Sequence, residues 1–469
     1  MSYRNVVLIV LDTVRKDYFD EYAYRLQDRS DVTFSNCRAA SSWSVPSHAS
    51  MITGELPHVH GIHTHDRYFD NLQKEQTFFS SLPDHTSLGA SANVFASETF
   101  GFDSVFDDYS DIAQHRRFPQ GIDMEKFIQD REQEGLLRFW EFLKTGVRHE
   151  YPLQSLANGA TFKLNDLMLE LPIPKITDDG AKLVKKEGLR KIREHKEPFF
   201  LFTNFMDAHA PLQHVVGFDK SMHSASNNWS SRDFEQWEVI LNGIDEHNQQ
   251  DVENHRDLYT CAVEYLDRQV SAFIDEIQAE TEHETTFIVT ADHGENLGFE
   301  GDNGLFGHTN SLTEALLHVP FEIINPPNGF DKEYNEYFSH LDLGTLVAGL
   351  GHNDITVETH TSIPAEVIGS GVGDPPRGDK EYWDRMIRCI YRDQEKIEWD
   401  SEGGTYRYGL REDKPSWQTL QADGIEIPDW ASEFFDGEIT EAKRHAREAE
   451  TSREVTTATQ DRLEDLGYI

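Results

Sequence analysis

Four short apolar runs constrain this chain more than any other feature. They are 5–11 (NVVLIVL), 198–203 (PFFLFT), 285–290 (TTFIVT) and 319–324 (VPFEII), rich in Val, Ile, Leu and Phe with little alternation. Alternation marks a strand with one wet face, whereas a continuous apolar run suits a strand covered on both faces, as in a parallel sheet between helices. Helical patterns fill the intervals: LLRFWEFLKTG from Leu136, DDGAKLVKKEGLRKIREH from Asp178, and a longer one from Arg256. Strands alternating with helices predict an α/β fold with a large, mostly parallel sheet.

Three of the runs end in the same way. The first runs into Asp12, the second into the segment from Asn204 to His209, the third into Asp292 and His293. Ligands in open α/β sheets bind beyond the carboxyl ends of the strands. One Asp after a strand is usually a turn residue or a helix cap. Three strands delivering Asp or His to one edge instead predict a shared site. Carboxylates with an imidazole suit a hard or borderline divalent cation, Ca, Mg, Mn or Zn. Asp292 and His293 are adjacent and cannot both face one side of a strand, so both are expected on the loop that follows it.

A fourth piece, SSWSVPSHASMITG, starts at Ser41. Pro46 suits a first helical turn and Gly54 a helix end, which places Ser44 at the helix N-terminus. Free N–H groups and the helix dipole favour an anion there. A hydroxyl at that point beside a metal can act as a nucleophile; taken alone, the segment reads more readily as an N-cap.

Composition narrows the partners. The 469 residues carry a formal net charge of -41, which repels polyanions and argues against nucleic acid. Acid spread along the whole chain resembles the cytoplasmic proteins of salt-loving archaea, where salt screens the self-repulsion. The three cysteines, Cys37, Cys261 and Cys389, have neither metal-type spacing nor an even number. The first apolar run is too short to span a bilayer and lacks signal-peptide flanks, so no transmembrane segment and a cytoplasmic location are expected. Residues 117–175 read as a helical insertion in a catalytic unit of 1–350. Residues 351–469 read as a C-terminal subdomain of short antiparallel strands with a helical tail.

Taken together, the motifs resemble the sulfatase family of the alkaline phosphatase superfamily. They are a strand ending in Asp12, Ser44-Val45-Pro46-Ser47-His48, TADHGE around Asp292-His293, and LPHVHG ending at Gly61. Further matches are GFDSVFDDY from Gly101, DAHAP around His209, FGHTNSLTEALLHVPFEI from Phe306, SHLDL from Ser339, and the terminal DRLEDLGYI. The resemblance implies an alkaline-phosphatase-like sandwich and hydrolysis of sulfate esters. By it, Asp12, Asp292 and His293 would bind one divalent cation, with Ser44 as nucleophile and further ligand. His48 stands where the family has an Arg that orients the nucleophile. His209 and His308 match positions that grip the anion or leaving group.

The departures are specific. Active sulfatases oxidise Cys or Ser at the nucleophile position to formylglycine, and the oxidising machinery wants Arg where this chain has His48. Thr13 replaces the second Asp of the usual pair, and ANVFASETFGFD lacks the family's Lys. Phosphatase and phosphotransferase branches use an unmodified Ser or Thr, which is the alternative reading for Ser44. A member of another class, inactive and binding a sulfated or phosphorylated glycan, is the third. The substrate class implied is a small-molecule or glycan sulfate or phosphate ester. His58, His60, His63 and His65 are read as a family loop rather than a second metal site, and Tyr259, Tyr265 and Asp267 as helix packing.

Overall fold

All four apolar runs enter one sheet of eight strands. The computed structural model describes residues 3–112, 118, 120–122, 124–129, 135–169, 173–371, 380–449, 459–460, 462–463 and 466. The strands are β1 (Asn5–Leu11), β2 (Val32–Phe34), β3 (Thr86–Ser91), β4 (Asp108–Asp111), β5 (Phe199–Phe205), β6 (Thr285–Thr290), β7 (Phe321–Ile324) and β8 (Glu333–Tyr334). Their order is β8-β2-β7-β6-β1-β5-β3-β4. From β6 to β4 every pairing is parallel. β7 runs antiparallel to both β6 and β2. The run at 319–324 thus supplies a strand as expected, but of opposite direction, which a continuous apolar run does not encode.

Burial explains why these runs were legible. Val6 to Val10 are inaccessible to solvent, as are Phe287, Ile288 and Val289. Helices cover the sheet. α1 (Ser44–Thr53), α2 (Gly135–Arg148), α3 (Pro152–Leu169), α4 (Ala181–Glu194), α5 (Gln249–Glu280), α6 (Leu343–Gly351) and α7 (Ile439–Glu448) are the ones that matter here. α4 packs on β3, β5 and α5, and α6 packs on β1 and α1. The pattern from Asp178 becomes helical only at Ala181. There the Asp207 carboxylate accepts the main-chain N–H groups of Asp179 and Ala181, both at 3.1 Å, and so satisfies donors that a helix start leaves open.

Register brings the functional edge into line. Leu11 pairs with Phe205, Ser91 with Asn204, and Val10 with Thr290. The carboxyl ends of β1, β3, β5 and β6 therefore lie side by side, and whatever follows each strand converges.

The C-terminal strands form a separate five-stranded antiparallel sheet of sequential neighbours: β9 (Ser362–Ile368), β10 (Met386–Arg392), β11 (Glu395–Asp400), β12 (Thr405–Leu410) and β13 (Gln418–Asp423). Gly403, with φ of +93°, makes the turn between β11 and β12, a conformation glycine adopts without strain. Hydrogen bonds to two buried, ion-paired carboxylates tie this sheet to the main unit. Glu314 meets Arg38 at 3.0 Å and accepts from the Tyr391 hydroxyl at 2.6 Å, and Glu366 joins Arg388 (2.8 Å) to His58 (3.0 Å). Of the 117–175 stretch, residues 117, 119, 123, 130–134 and 170–172 lie outside the described residues, as do most of the terminal DRLEDLGYI and residues 450–455 of the expected tail.

Candidate active site

Asp12 follows β1 directly, and Asp292 and His293 follow β6 after one residue, on the loop as expected. All three are inaccessible to solvent. One carboxylate oxygen from each Asp and one His293 ring nitrogen lie within 4.8 Å of one another. Among the described residues this is the one convergent group of metal-ligating side chains. The four histidines of the 58–65 loop do not converge. His58 bonds Glu366, His60 bonds the Ser50 hydroxyl at 3.2 Å, and His65 pairs with Asp384 at 3.2 Å.

The donor set fits a cation. Asp12 Oδ1 and Asp292 Oδ2 are buried without a hydrogen-bond partner, which is costly unless a positive charge faces them. Burial, then the neighbouring Asp292, pushes the Asp12 pKa up. Burial does the same to Asp292, against the opposing pull of His48. A divalent ion would remove that penalty. His293 Nδ1 donates to the Gly294 carbonyl at 2.8 Å, which leaves the Nε2 lone pair free for a metal. Burial, then His308, pushes the His293 pKa down to about 3, so the ring is neutral, as a ligand must be. Gly294 is required beside it: a Cβ there would sit 2.0 Å from the Ala315 carbonyl oxygen.

The turn after β1 is shaped to hold Asp12. Thr13 sits at φ of +61°, a region that costs a residue with a Cβ roughly 1–3 kcal/mol and is met chiefly at functional sites. Its N–H donates to Asp292 Oδ1 at 3.4 Å, and its carbonyl accepts the Tyr259 hydroxyl at 2.6 Å. That hydroxyl in turn accepts the Arg15 N–H at 3.0 Å. Tyr259 is therefore more than helix packing. Tyr265 and Asp267 also have polar tasks, Tyr265 donating to Asp178 at 2.7 Å and Asp267 accepting the Leu26 N–H at 2.8 Å.

Ser44 is the first residue of α1, and Gly54 ends the helix at φ of +75°. The Ser44 hydroxyl lies 3.4 Å from His293 Nε2. It accepts from Asn93 Nδ2 at 2.9 Å, and the same amide donates to Asp12 Oδ2 at 2.6 Å. Asn93 Oδ1 accepts the N–H groups of Phe95 and Ala96, at 2.8 and 3.2 Å, which orients the amide. Sequence reasoning missed Asn93. The signal was its place two residues after β3, but TSLGAS is too short and too small-chained to read as a buried strand. Asn204, at the end of β5, was seen only as part of a segment; its Nδ2 donates to Asp12 Oδ2 at 3.3 Å and to His48 Nε2 at 3.2 Å.

His48 lies one helical turn below Ser44 and is fully buried. Its Nδ1 donates to the Ser44 main-chain carbonyl at 2.7 Å and stands 3.7 Å from Asp292 Oδ2. It touches the nucleophile position through the backbone, not through the hydroxyl. His209 and His308 lie together, ring centroids 5.1 Å apart, and His308 is equally close to His293. His209 Nδ1 donates to the Ala210 carbonyl. His308 Nδ1 bonds Glu295 Oε2 at 3.1 Å. Burial, followed by His209, pushes His308 down to about 3, and burial pushes Glu295 up to about 7. Glu295 was visible in TADHGE but received no role from sequence. Glu295 and His308 line a cleft of about 420 Å³, whose other walls include Pro211, Phe234, Trp237 and Thr309.

Comparisons with known proteins bear on the family and the fold. A model of the sulfatase family matches residues 4–352. No curated protein matches the sequence. Among solved structures, the chain is similar to a phosphonate monoester hydrolase from Silicibacter pomeroyi, at 12% identity over 87% of this chain and 89% of that one, with a TM-score of 0.58. It is similar to the phosphonate monoester hydrolase of Agrobacterium radiobacter at 13% identity, with the same coverage and TM-score. A putative sulfatase from Bacteroides thetaiotaomicron is 14% identical over 88% of this chain and 86% of that one, with a TM-score of 0.53. At these identities the likeness speaks for the fold.

Proposed function

The chain belongs to the sulfatase family, and from that premise we propose that it hydrolyses sulfate esters at the strand-end site, with Ser44 at the nucleophile position and one divalent cation bound by Asp12, Asp292, His293 and Ser44. The observation that carries the reading is that buried Asp12 and Asp292, each with a partnerless carboxylate oxygen, converge with His293, whose Nε2 lies beside the Ser44 hydroxyl. A bound Ca, Mg, Mn or Zn ion supplies Lewis acidity, neutralising charge on the ester oxygens and lowering the pKa of the nucleophile.

The protein's own groups do the rest. Asn93 holds the Ser44 oxygen and Asp12 in one arrangement, which fixes the attack distance. The N–H groups of the first turn of α1 favour the anion. His48, bonded to the Ser44 carbonyl, props the helix start against Asp292 and acts as a positioning residue. His308 meets the ester at the cleft with His209 beside it. The His308 ring is neutral, so the proton for the leaving oxygen comes from the Glu295 carboxyl, which burial pushes up to about 7 and which bonds His308 Nδ1, and passes through the imidazole. Glu295 fixes the His308 ring through Nδ1. The cleft beside His308 takes the organic part of a small-molecule or glycan ester.

A second reading, phosphoryl chemistry by an unmodified Ser44, rests on His48. It stands where sulfatases carry the Arg that the oxidising machinery wants, and it leaves the Ser44 hydroxyl to Asn93 and His293. Mass spectrometry of the peptide spanning Ser44, in protein from its own host, separates the two. An aldehyde formed by loss of hydrogen establishes sulfatase chemistry; an intact Ser together with turnover of aryl phosphate overturns it. A chelator should abolish turnover. Bound metal without turnover of any aryl sulfate, aryl phosphate or phosphodiester would mark the protein as a binding member of its family.

A further inference from the structure

Away from the site, the hairpin of α2 and α3 inverts the usual partition of side chains. Its inner seam is well packed. Phe142 is buried against Phe127 and Met124, and a Cβ on Gly159 would come within 2.2 Å of the Phe142 ring, so the two helices touch closely there. The outer face is apolar and open. Leu137 is 69% exposed, Phe139 52%, Trp140 65%, Val147 62% and, at the start of α3, Leu153 83%. Leu137, Trp140, Lys144, Val147 and Arg148 fall at helical spacing on one side of α2. Single exposed apolar residues are ordinary, but Leu137, Trp140 and Val147 share one side of α2, with Phe139 and Leu153 exposed elsewhere on the hairpin, and three large ones on one side mark a surface that expects a partner.

Charge indicates which partner. The whole chain carries -41, yet α2 has Arg138, Lys144 and Arg148 against the single carboxylate Glu141. Glu150 follows on the turn after α2, and one further cation lies at the hairpin's base. Asn158 of α3 bonds the main chain of Phe118 on both sides, at 3.0 and 2.9 Å, and Lys186 of α4 lies 5.4 Å over the Phe118 ring. Two copies of this face would set like charges against each other. An anionic bilayer offers negative headgroups to Lys144 and Arg148 and an acyl boundary to Trp140, Leu137 and Val147. At 14 residues, α2 rises about 21 Å, short of the roughly 30 Å hydrocarbon core. Among the described residues no helix is long and apolar enough to cross a membrane.

We propose that the α2–α3 hairpin is an interfacial membrane-docking element, lying on an anionic lipid surface through the Leu137, Trp140 and Val147 face with Lys144 and Arg148 at the headgroups. Aromatic and aliphatic residues on one face with cations beside them are the physical signature of a helix that lies in the interface. Salt weakens the preference for anionic lipid first, because the attraction is screened, and leaves the apolar contribution.

Flotation of the full chain with vesicles tests this. The wild type should rise with vesicles of phosphatidylglycerol and phosphatidylcholine, and much less with pure phosphatidylcholine. Leu137→Glu with Trp140→Glu should cut vesicle binding by at least about tenfold, the least that burying one such side chain is worth. Lys144→Glu with Arg148→Glu should abolish the preference for the anionic vesicle. Both doubles change exposed positions, and their thermal melts should match the wild type, which separates lost docking from lost folding. Failure of the wild type to float, or flotation untouched by either double, overturns the proposal. So does a wild-type dimer in sedimentation that the Leu137/Trp140 double turns into monomer, since a second copy would then cover the face.

Discussion

The carboxyl edge of the sheet and the α2–α3 hairpin depart from the rule of apolar inside and polar outside in opposite directions. At the edge, Asp12, Ser44, Asp292 and His293 are sealed from water. On the hairpin, Trp140 and its neighbours stand in it. Buried polar groups persist when partners or a ligand offset their desolvation; here each of the four has a named partner, yet Asp12 and Asp292 each keep one carboxylate oxygen without one, and so does the Asn204 amide oxygen beside them. Exposed apolar groups cost the fold little and gain only when something covers them. The first arrangement is tied to folding and chemistry together. The second can be changed with little effect on either, and the experiments below try to break that contrast.

Ser44→Ala should have the largest effect. Turnover falls by at least about 10⁴-fold, as expected when a nucleophile is removed, while isothermal titration still detects one bound divalent ion. Retained turnover would move the nucleophile elsewhere. His308→Ala should cost about 10²- to 10⁴-fold, the range for a general acid, with steeper losses for esters of poor leaving groups; an equal loss for all leaving groups would limit His308 to gripping the anion. Asn93→Ala should lower metal affinity or activity by about 10- to 100-fold, the scale of a residue that orients ligands without binding metal, as read by metal titration alongside kcat.

A pH scan probes the cost of burial itself. Burial pushes His255 and His340 down to about 3, and both rings are at most 1% exposed. The unfolded chain takes up these protons near pH 6.5, whereas the folded chain refuses them until about 3. The stability these rings contribute is therefore complete above about pH 6.5 and lost as pH falls toward 3. Melting temperature should drop by at least about 2 °C between pH 7 and pH 5, and His255→Gln should flatten that slope; an unchanged slope would rule out His255 as a contributor. Smallest of all, Trp140→Ser on the hairpin should leave turnover within about twofold and stability within about 0.5 kcal/mol. A larger loss would show that the exposed face is structural.

Legibility followed burial of the side chains themselves. The strands at 5–11 and 285–290 match β1 and β6 residue for residue, because strands covered on both faces admit only apolar side chains. The run at 198–203 stopped short of β5, which ends at Phe205, because Asn204 is polar yet keeps the strand and turns its amide into the site. β3 was unreadable, and Asn93 went with it. Tyr259 was read as a core residue on a helix, and its ring is buried, but the Thr13 carbonyl that its hydroxyl holds belongs to a turn 246 residues away.

By itself, then, the sequence determined the α/β class, the strands of the central sheet's core, and Asp12, Asp292 and His293 as residues delivered to its edge. Those follow from local apolar runs and from what stands next to them along the chain. Only the tertiary structure decided that Asn93 bridges Ser44 to Asp12, that His48 supports Ser44 through its carbonyl, that Glu295 holds His308, and that one side of α2 is left uncovered among the described residues. Each of these is a distance between residues far apart in sequence or a neighbour that is missing, and neither leaves a mark on the local pattern of side chains.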